Sequence, residues 1–459
     1  METILTKILK KLDRETLAEI YYAGTFVRDI IRRRSPETVE IIIRNLQLND
    51  LVDYFKEYGT IVYLNKRGYF IFHLKNDSIK IKISLPRRHN RYNPYFTLFN
   101  DASSRDFTIN AMFLPITSKT KRSVIDYFGG LNDIKNKKIR TIKNAKLIVR
   151  KCPLYMLKAV ALAAETNYKI DSNLFYATKS WYSFASKILK IDVRDQLIKI
   201  LMSNKPSKYL RILHNLNLLN IILPELSICV GVTQNEKYHR YDVFSHCIYA
   251  CDNIEADLVL RLAALLHDIG KPQTREEVIN KKGDIKITFY NHEVMGAKIS
   301  KRILKRLKFD PEIIKEVTSL IYLHMYNFEP EEWTDAAVRR FIKKIEITEE
   351  NLKDLSNLPI FLLRRADRLA NGYSLKAISY RQKLFEKRIE EIYIKSNVLN
   401  IADLVIDGNT IMNKFNLKPG PTVGNILNYL LSIVIEDQKM NTEEALIDAT
   451  SAYLSKALK

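Results

Sequence analysis

The chain has 459 residues, enough for about three domains at roughly 150 residues each, and its 46% apolar content sustains packed cores and excludes a disordered chain. Only 13 glycines and 13 prolines exclude collagen-like, linker-dominated and glycine-punctuated architectures and predict a mostly helical protein. The surplus of 74 lysines and arginines over 52 acidic residues, a net charge of +22, favours a polyanionic partner, nucleic acid ahead of an anionic membrane.

Residues 1–20 alternate apolar and charged positions at helical spacing and lack the uninterrupted apolar core of a signal peptide, so they predict an amphipathic helix. The runs EIII, TIVYLN, YFIFHL and SIKIKISL then predict a small sheet with helices on it. From about Ile142 onward the strands are expected to stop, because apolar residues recur three and four apart through LYMLKAVALAAETN, RDQLIKILMS and KYLRILHNLNLLNIIL. Pro224 closes one helical block, GVTQNEKYHRYD opens the next and KPGPTVG (418–424) punctuates the last. The expected fold is α+β, with a mixed sheet at residues 1–145 followed by helical segments at 146–225, 226–375 and 376–459. No stretch reaches the ~18 apolar residues of a membrane span, so no membrane partner is expected. Four scattered cysteines (Cys152, Cys229, Cys247, Cys251) form no CxxC pair and fit a reducing, cytoplasmic setting.

Six of the eight histidines lie between His214 and His324, several of them in apolar helical surroundings close to acidic residues. His246 sits in VFSHCIYACD, His267 and Asp268 end LRLAALLHDIGKP, His292 sits in FYNHEVMGA, His324 in SLIYLHMY and Asp367 in LLRRADRLA. A polar group buried without a partner costs up to several kcal/mol, and a shared metal ion satisfies imidazoles and carboxylates together. For any one of these histidines a backbone hydrogen bond in the core is the simpler account; for all of them around an intact HDIGKP it is not. Lys271 follows Gly270 in a tight turn, where it is able to meet a phosphate or merely balance a helix dipole. His214, His73 and His89 read as structural or surface residues, and Met295, Phe289 and Tyr290 as core packing.

The order H…HD…H…H…D resembles the HD superfamily of metal-dependent phosphohydrolases. The resemblance implies His246, His267, Asp268 and Asp367 as a first metal site, with His292 and His324 able to add a second ion. Nitrogen and oxygen donors without thiolate suit a catalytic divalent ion (Mn, Ni, Co, Fe or Mg) rather than structural zinc. Such an ion lowers the pKa of bound water and clamps phosphate oxygens, which gives His267, Asp268 and Lys271 catalytic roles.

A longer resemblance spans nearly the whole chain. AGTFVRD (23–29), SRDFTINAM (104–112), DYFGGLNDIKNKKIRTI (126–142), RDQLIKILMSNKPSKYLRIL, GVTQNEKYH, VIDGNTIM and KPGPTVGNIL are similar to segments of the bacterial class II tRNA nucleotidyltransferase and poly(A) polymerase family. The resemblance implies a nucleotide-binding head built on Gly24, Arg28, Asp29, Glu40, Arg105, Asp106 and Asn110. It also implies tRNA as partner, through basic runs such as RRRS, LPRRHNR and KNKKIRTIK, and a nucleotide as a further ligand. The family holds Mg²⁺ on two aspartates one residue apart; here Thr38 and Glu40 occupy those positions, and a hydroxyl does not replace a carboxylate around Mg²⁺. The following strand offers Lys80 and Lys82. Thr25 replaces the second glycine of the phosphate loop, where it restricts positive φ. Lys151, Cys152 and Tyr155 replace the family's base-reading carboxylates and arginine.

These observations predict a protein acting at RNA 3′ ends, with an impaired polymerase head and an HD site that hydrolyses a phosphomonoester or a 2′,3′-cyclic phosphate. The alternatives are a divergent but active CCA- or A-adding enzyme, a non-enzymatic RNA-binding protein, and an HD nucleotidase with the head as a nucleotide sensor.

Overall fold

The computed structural model describes residues 4–65, 68–75, 79–117, 123–279, 285–326, 333–373, 380–396 and 398–457. The chain divides into two compact units: residues 1–227 with 306–308, and residues 228–305 with 309–459. The expected boundary at 376 falls on residues outside those described.

In the first unit, α1 (Ile4–Glu15) buries Leu5, Ile8, Leu9 and Leu12, the stripe its i, i+3, i+4, i+7 spacing dictates. It precedes β1 (Glu19–Ala23), α2 (Gly24–Ile31), β2 (Thr38–Arg44), α3 (Leu48–Lys56), β3 (Gly59–Asn65), β4 (Tyr69–Leu74) and β5 (Lys80–Ser84). The sheet runs β3-β4-β5-β2-β1 and continues through strands Met112–Pro115 and Ile125–Asp126. Pairing is antiparallel except between β2 and β5, which run parallel with Thr38 opposite Lys80 and Glu40 opposite Lys82. Since side chains alternate faces along a strand, that register fixes which cations share a sheet face with which β2 residue. Ile41, Ile42 and Ile43 are all buried, the mark of a central strand covered on both faces.

The rest of the first unit is mostly helical, with α-helices Leu154–Thr166, Ser172–Trp181, Lys190–Leu201 and Pro206–Asn215. In the second unit, helix Leu258–Leu266 is buried from Leu260 to Leu266, so LVLRLAALL makes a central helix. Asp242 and Asp257 cap the helices Val243–Asp252 and Leu258–Leu266 by accepting from the Ser245 and Leu260 N–H groups. Helices His292–Arg306, Pro311–Leu323 and Pro359–Ala370 complete the site's frame, and a separate apolar cluster around Ile426, Leu430 and Val434 organises the C-terminal helices.

The fold class is the expected one, with a difference in detail: strands do not stop at Ile142. Lys138–Ile139 pairs in parallel with Lys169–Ile170, and Glu276–Ile279 forms an antiparallel pair with Ile285–Thr288. The first pair is two residues long and the Glu276–Ile279 strand is exposed throughout, so neither leaves an alternating apolar pattern to read. Among the described residues no helix is long and apolar enough to cross a membrane.

Candidate metal centre and candidate head site

Five helices or helix ends of the second unit deliver the HD residues to one place. His246 lies inside its helix, His267 and Asp268 follow Leu266, His292 opens a helix, His324 ends one, and Asp367 lies in the helix Pro359–Ala370. His246, His267, Asp268, His292 and His324 are all buried. His246 Nε2 lies 3.1 Å from His267 Nε2 and 3.1 Å from Asp367 Oδ1. His267 Nε2 lies 3.3 Å from Asp268 Oδ2 and 3.8 Å from Asp367 Oδ1. The other oxygen, Asp268 Oδ1, faces His292 Nε2 at 3.3 Å and His324 Nε2 at 3.7 Å. Asp268 thus turns one oxygen to each of two donor groups.

Three of these imidazoles are oriented in the same way. The Nδ1 atoms of His267, His292 and His324 lie 2.9, 2.7 and 2.6 Å from the carbonyl oxygens of Ala264, Phe289 and Ile321, each three residues back. A carbonyl accepts only, so Nδ1 carries the proton, and in the neutral ring Nε2 presents its lone pair inward. His292 Nε2, His324 Nε2 and Asp268 Oδ2 are buried without a well-directed hydrogen bond among the described residues. Asp268 Oδ2 nonetheless has Lys271 Nζ at 2.6 Å as an ion-pair partner. The buried Nε2 lone pairs of His292 and His324, aimed at Asp268 Oδ1, fit a divalent cation.

The electrostatics follow from this crowding. Burial opposes ionisation of Asp268, but His267 and Lys271 override it and hold the carboxyl well below the usual range. Asp367 is held down likewise, against burial, by His246, His267 and Arg364. Burial lowers His324 to about 4. For His267 burial is outweighed by Asp268 and Asp367, which raise it.

Lys271 is buried and bonded to both Asp268 and Gln234 Oε1, the latter at 2.6 Å, so it props the aspartate rather than projecting into solvent. Gly270 is needed for a reason other than a tight turn. Its φ is an ordinary −79°, but a Cβ there would lie 2.3 Å from the His292 carbonyl oxygen. The sequence reading missed Gln234, missed Arg364, whose guanidinium lies 3.2 Å from Asp367 Oδ2, and left His239 unassigned. The His239 ring stands edge-on to His246 at 5.1 Å, and burial lowers its pKa to about 4. Tyr290 is exposed and Met295 and Phe289 are half-buried, so none is the core residue expected; the Phe289 ring lies 5.5 Å from the Lys271 ammonium.

The seven head residues meet in the first unit. Arg28, 1% exposed, donates to both Asp29 oxygens at 2.9 Å, to Asn110 Oδ1 at 3.1 Å and to Glu165. Arg105 donates to Asp101 at 2.6 Å, to the Asn110 carbonyl at 3.0 Å and to Glu40 Oε1 at 3.0 Å. Asn110 Nδ2 lies 3.3 Å from Asp106, which Lys158 approaches at 3.4 Å. Burial would raise the Asp106 carboxyl, but Lys158 and the Phe107 N–H lower it. Gly24 has φ +65°, and a Cβ on it would meet Glu40 Oε2 at 2.0 Å. Thr25 takes helical backbone inside α2, so the expected strain there is absent and the demand for positive φ falls on Gly24 alone.

At the position where the family holds Mg²⁺, the Glu40 carboxylate is met by protein cations. Lys82 Nζ lies 4.0 Å from Glu40 Oε1, and Thr38, two residues before Glu40 on β2, pairs in register with Lys80. Burial opposes ionisation of Glu40, but Arg105 and Lys82 lower its pKa to about 2, so protein cations already pair with this carboxylate. At the neck, Tyr155 packs on Phe107 at 5.9 Å and Lys158 lies 5.7 Å from the Tyr155 ring.

Together, the mixed sheet of the first unit and the clustered histidines and aspartates of the second define a two-part protein, a nucleotidyltransferase-type head joined to an HD-type helical unit. Family models match accordingly: the "Poly A polymerase head domain" over residues 20–140, the "Probable RNA and SrmB- binding site of polymerase A" over 192–229, and the "HD domain" over 237–372. The chain belongs to the class II tRNA nucleotidyltransferase and poly(A) polymerase family, in its form with an HD domain. It is 29% identical over 350 residues to the A-adding tRNA nucleotidyltransferase of Deinococcus radiodurans, covering 72% of this chain and 74% of that one. It is 24% identical over 457 residues to a CCA-adding enzyme of Streptococcus agalactiae, covering 97% and 96%. The Bacillus stearothermophilus CCA-adding enzyme in complex with CTP shares the fold, with a TM-score of 0.63 at 17% identity over 99% of this chain and 98% of that one.

Proposed function

We propose that the protein acts at RNA 3′ ends, with tRNA as the main partner, through a divalent-metal phosphohydrolase centre in the HD unit, and that its head no longer transfers nucleotides. The observation that carries this reading is the contrast between the two clusters. Asp268 meets Lys271 through Oδ2 but turns Oδ1 to the inward-pointing nitrogens of His292 and His324, whereas both Glu40 oxygens meet Arg105, with Lys82 4.0 Å away.

In this reading His246, His267, Asp268 and Asp367 hold one divalent ion, and Asp268 with His292 and His324 a second. The bound metal supplies acidification of water and neutralisation of phosphate charge. The chain supplies the rest. The Ala264, Phe289 and Ile321 carbonyls fix the imidazole tautomers, Lys271 and Gln234 keep Asp268 ionised and in place, and Arg364 orients Asp367. A phosphomonoester or 2′,3′-cyclic phosphate is the substrate class.

A second reading has one observation in its favour: Gly24, Arg28, Asp29, Arg105, Asp106 and Asn110 remain joined in one network around Glu40, and the relatives named above add A or CCA. The two are separated by supplying Mg²⁺, labelled CTP or ATP and tRNA lacking its CCA end. No incorporation is expected. Incorporation that Glu40→Ala abolishes would establish the second reading and remove the first.

A further inference from the structure

The helix that opens with His292 carries a second feature that the sequence reading did not single out. Along His292–Arg306 the buried positions are His292, Gly296, Ile299, Ser300, Ile303 and Leu304. The opposite side presents Lys298, Lys301, Arg302 and Lys305, all exposed, which with Met295 line a shallow groove. No acidic residue pairs with any of the four among the described residues. Their spacings of three and four residues bring like charges together on one face, an arrangement that costs an isolated helix stability and that a bound polyanion relieves.

We propose that this face is a docking track for the backbone of single-stranded RNA whose 3′ end lies at the HD centre. The inference rests on the HD reading above and narrows it: the substrate is a polynucleotide end, not a free nucleotide. At about 1.5 Å of rise per residue the four cations span about 10 Å and begin about 9 Å along the helix from His292. That span matches about three steps, and so about four successive phosphates, at the ~3.4 Å rise per strand of a stacked chain. A place on the helix that supplies His292, and a net charge of +22, favour RNA over other polyanions. A membrane surface fits less well, because apart from Met295 the face has none of the leucine or aromatic residues with which an interfacial helix sinks into a bilayer.

The test uses the full chain and two variants, Lys298→Glu/Lys301→Glu/Arg302→Glu/Lys305→Glu and, should charge reversal impair folding, the four corresponding alanines. Hydrolysis is measured on an oligoribonucleotide ending in a 2′,3′-cyclic phosphate and on the 2′,3′-cyclic mononucleotide. KM for the oligonucleotide is expected to rise at least tenfold, with turnover of the mononucleotide within twofold of wild type. Binding of the same oligonucleotide is followed by fluorescence anisotropy, and the slope of log affinity against log salt is expected to shrink by about 2–3, four contacts at ~0.7 each. Equal effects on both substrates, or none, would overturn the proposal. If the wild type hydrolyses neither, the HD reading fails by itself and binding decides: weaker, less salt-dependent binding in the variants sustains the track, unchanged binding removes it. Loss of binding to phosphatidylserine vesicles with RNA affinity intact would assign the face to a membrane and also overturn it.

Discussion

Glu40→Gln tests whether the head carboxylate is a structural ion-pair member rather than a vacant metal ligand. Its pKa falls from 4.5 to about 2, burial opposing and Arg105 and Lys82 prevailing. A depressed folded-state pKa stabilises the fold fully above the unfolded value and loses that contribution as pH falls toward the folded one. The shift corresponds to about 3 kcal/mol at pH 7, shrinking to about 1 kcal/mol at pH 3, where the unfolded carboxyl is already protonated. Glutamine does not titrate, so the stability gap between wild type and Glu40→Gln should narrow by about 2 kcal/mol between those pH values. Hydrogen exchange at the β2 amides during a urea titration reads this unit apart from the rest of the chain. A gap that stays constant, or widens as pH falls, would refute the charge argument. Magnesium gives the complementary reading. An ion bound at Glu40 with [Mg²⁺] at 100 times Kd would add about 2.7 kcal/mol to the wild type, and we expect no such increment.

Replacing His267 and Asp268 together by alanine should remove bound divalent metal, measured by elemental analysis, and abolish phosphate release with Mn²⁺, Ni²⁺, Co²⁺ or Mg²⁺, while far-UV circular dichroism keeps its helical signal; unchanged turnover would place the chemistry elsewhere. His292→Ala should impair hydrolysis with less metal lost. Gly270→Ala should cost about 1–3 kcal/mol, since its Cβ would lie 2.3 Å from the His292 carbonyl, and should lower metal occupancy by displacing that helix; wild-type occupancy would show that the close approach is unimportant. Affinity for tRNA should fall steeply between low and moderate salt; a salt-independent affinity would contradict the phosphate-contact reading of the +22 surplus.

The histidines and aspartates of the HD unit were legible because each interrupts an apolar helical run where a polar group demands a reason. The choice between a core histidine bonded to backbone and a ligand was not legible, and the structure shows why the alternatives were falsely opposed. His267, His292 and His324 bond backbone through Nδ1 and face Asp268 through Nε2, so one interaction prepares the other. Gln234, Arg364 and Glu165 escaped notice because a glutamine in a polar loop, an arginine in LLRRADRLA and a glutamate ending a helix look like solvated residues until the fold closes on them. Thr25 shows a different limit: residue types suggest that a loop needs glycine, but only backbone geometry says which of two adjacent positions takes the positive φ.

The two clusters solve the same physical problem differently, and the difference bears on which one calls for an ion. A buried carboxylate needs a counter-charge. Glu40 has Arg105 at 3.0 Å and Lys82 at 4.0 Å, both fixed parts of the chain. At the HD centre Lys271 meets one oxygen of Asp268 and Arg364 one oxygen of Asp367. The remaining oxygen of each, Oδ1, faces imidazole Nε2 atoms, and where Nδ1 is committed to a carbonyl those nitrogens offer lone pairs. For His324 Nε2 and Asp268 Oδ1, 3.7 Å apart, lone pair against lone pair is repulsive unless a proton or a metal cation lies between them. Burial holds His324 unprotonated down to about pH 4, so near neutrality a proton is a poor candidate there and a divalent cation a good one.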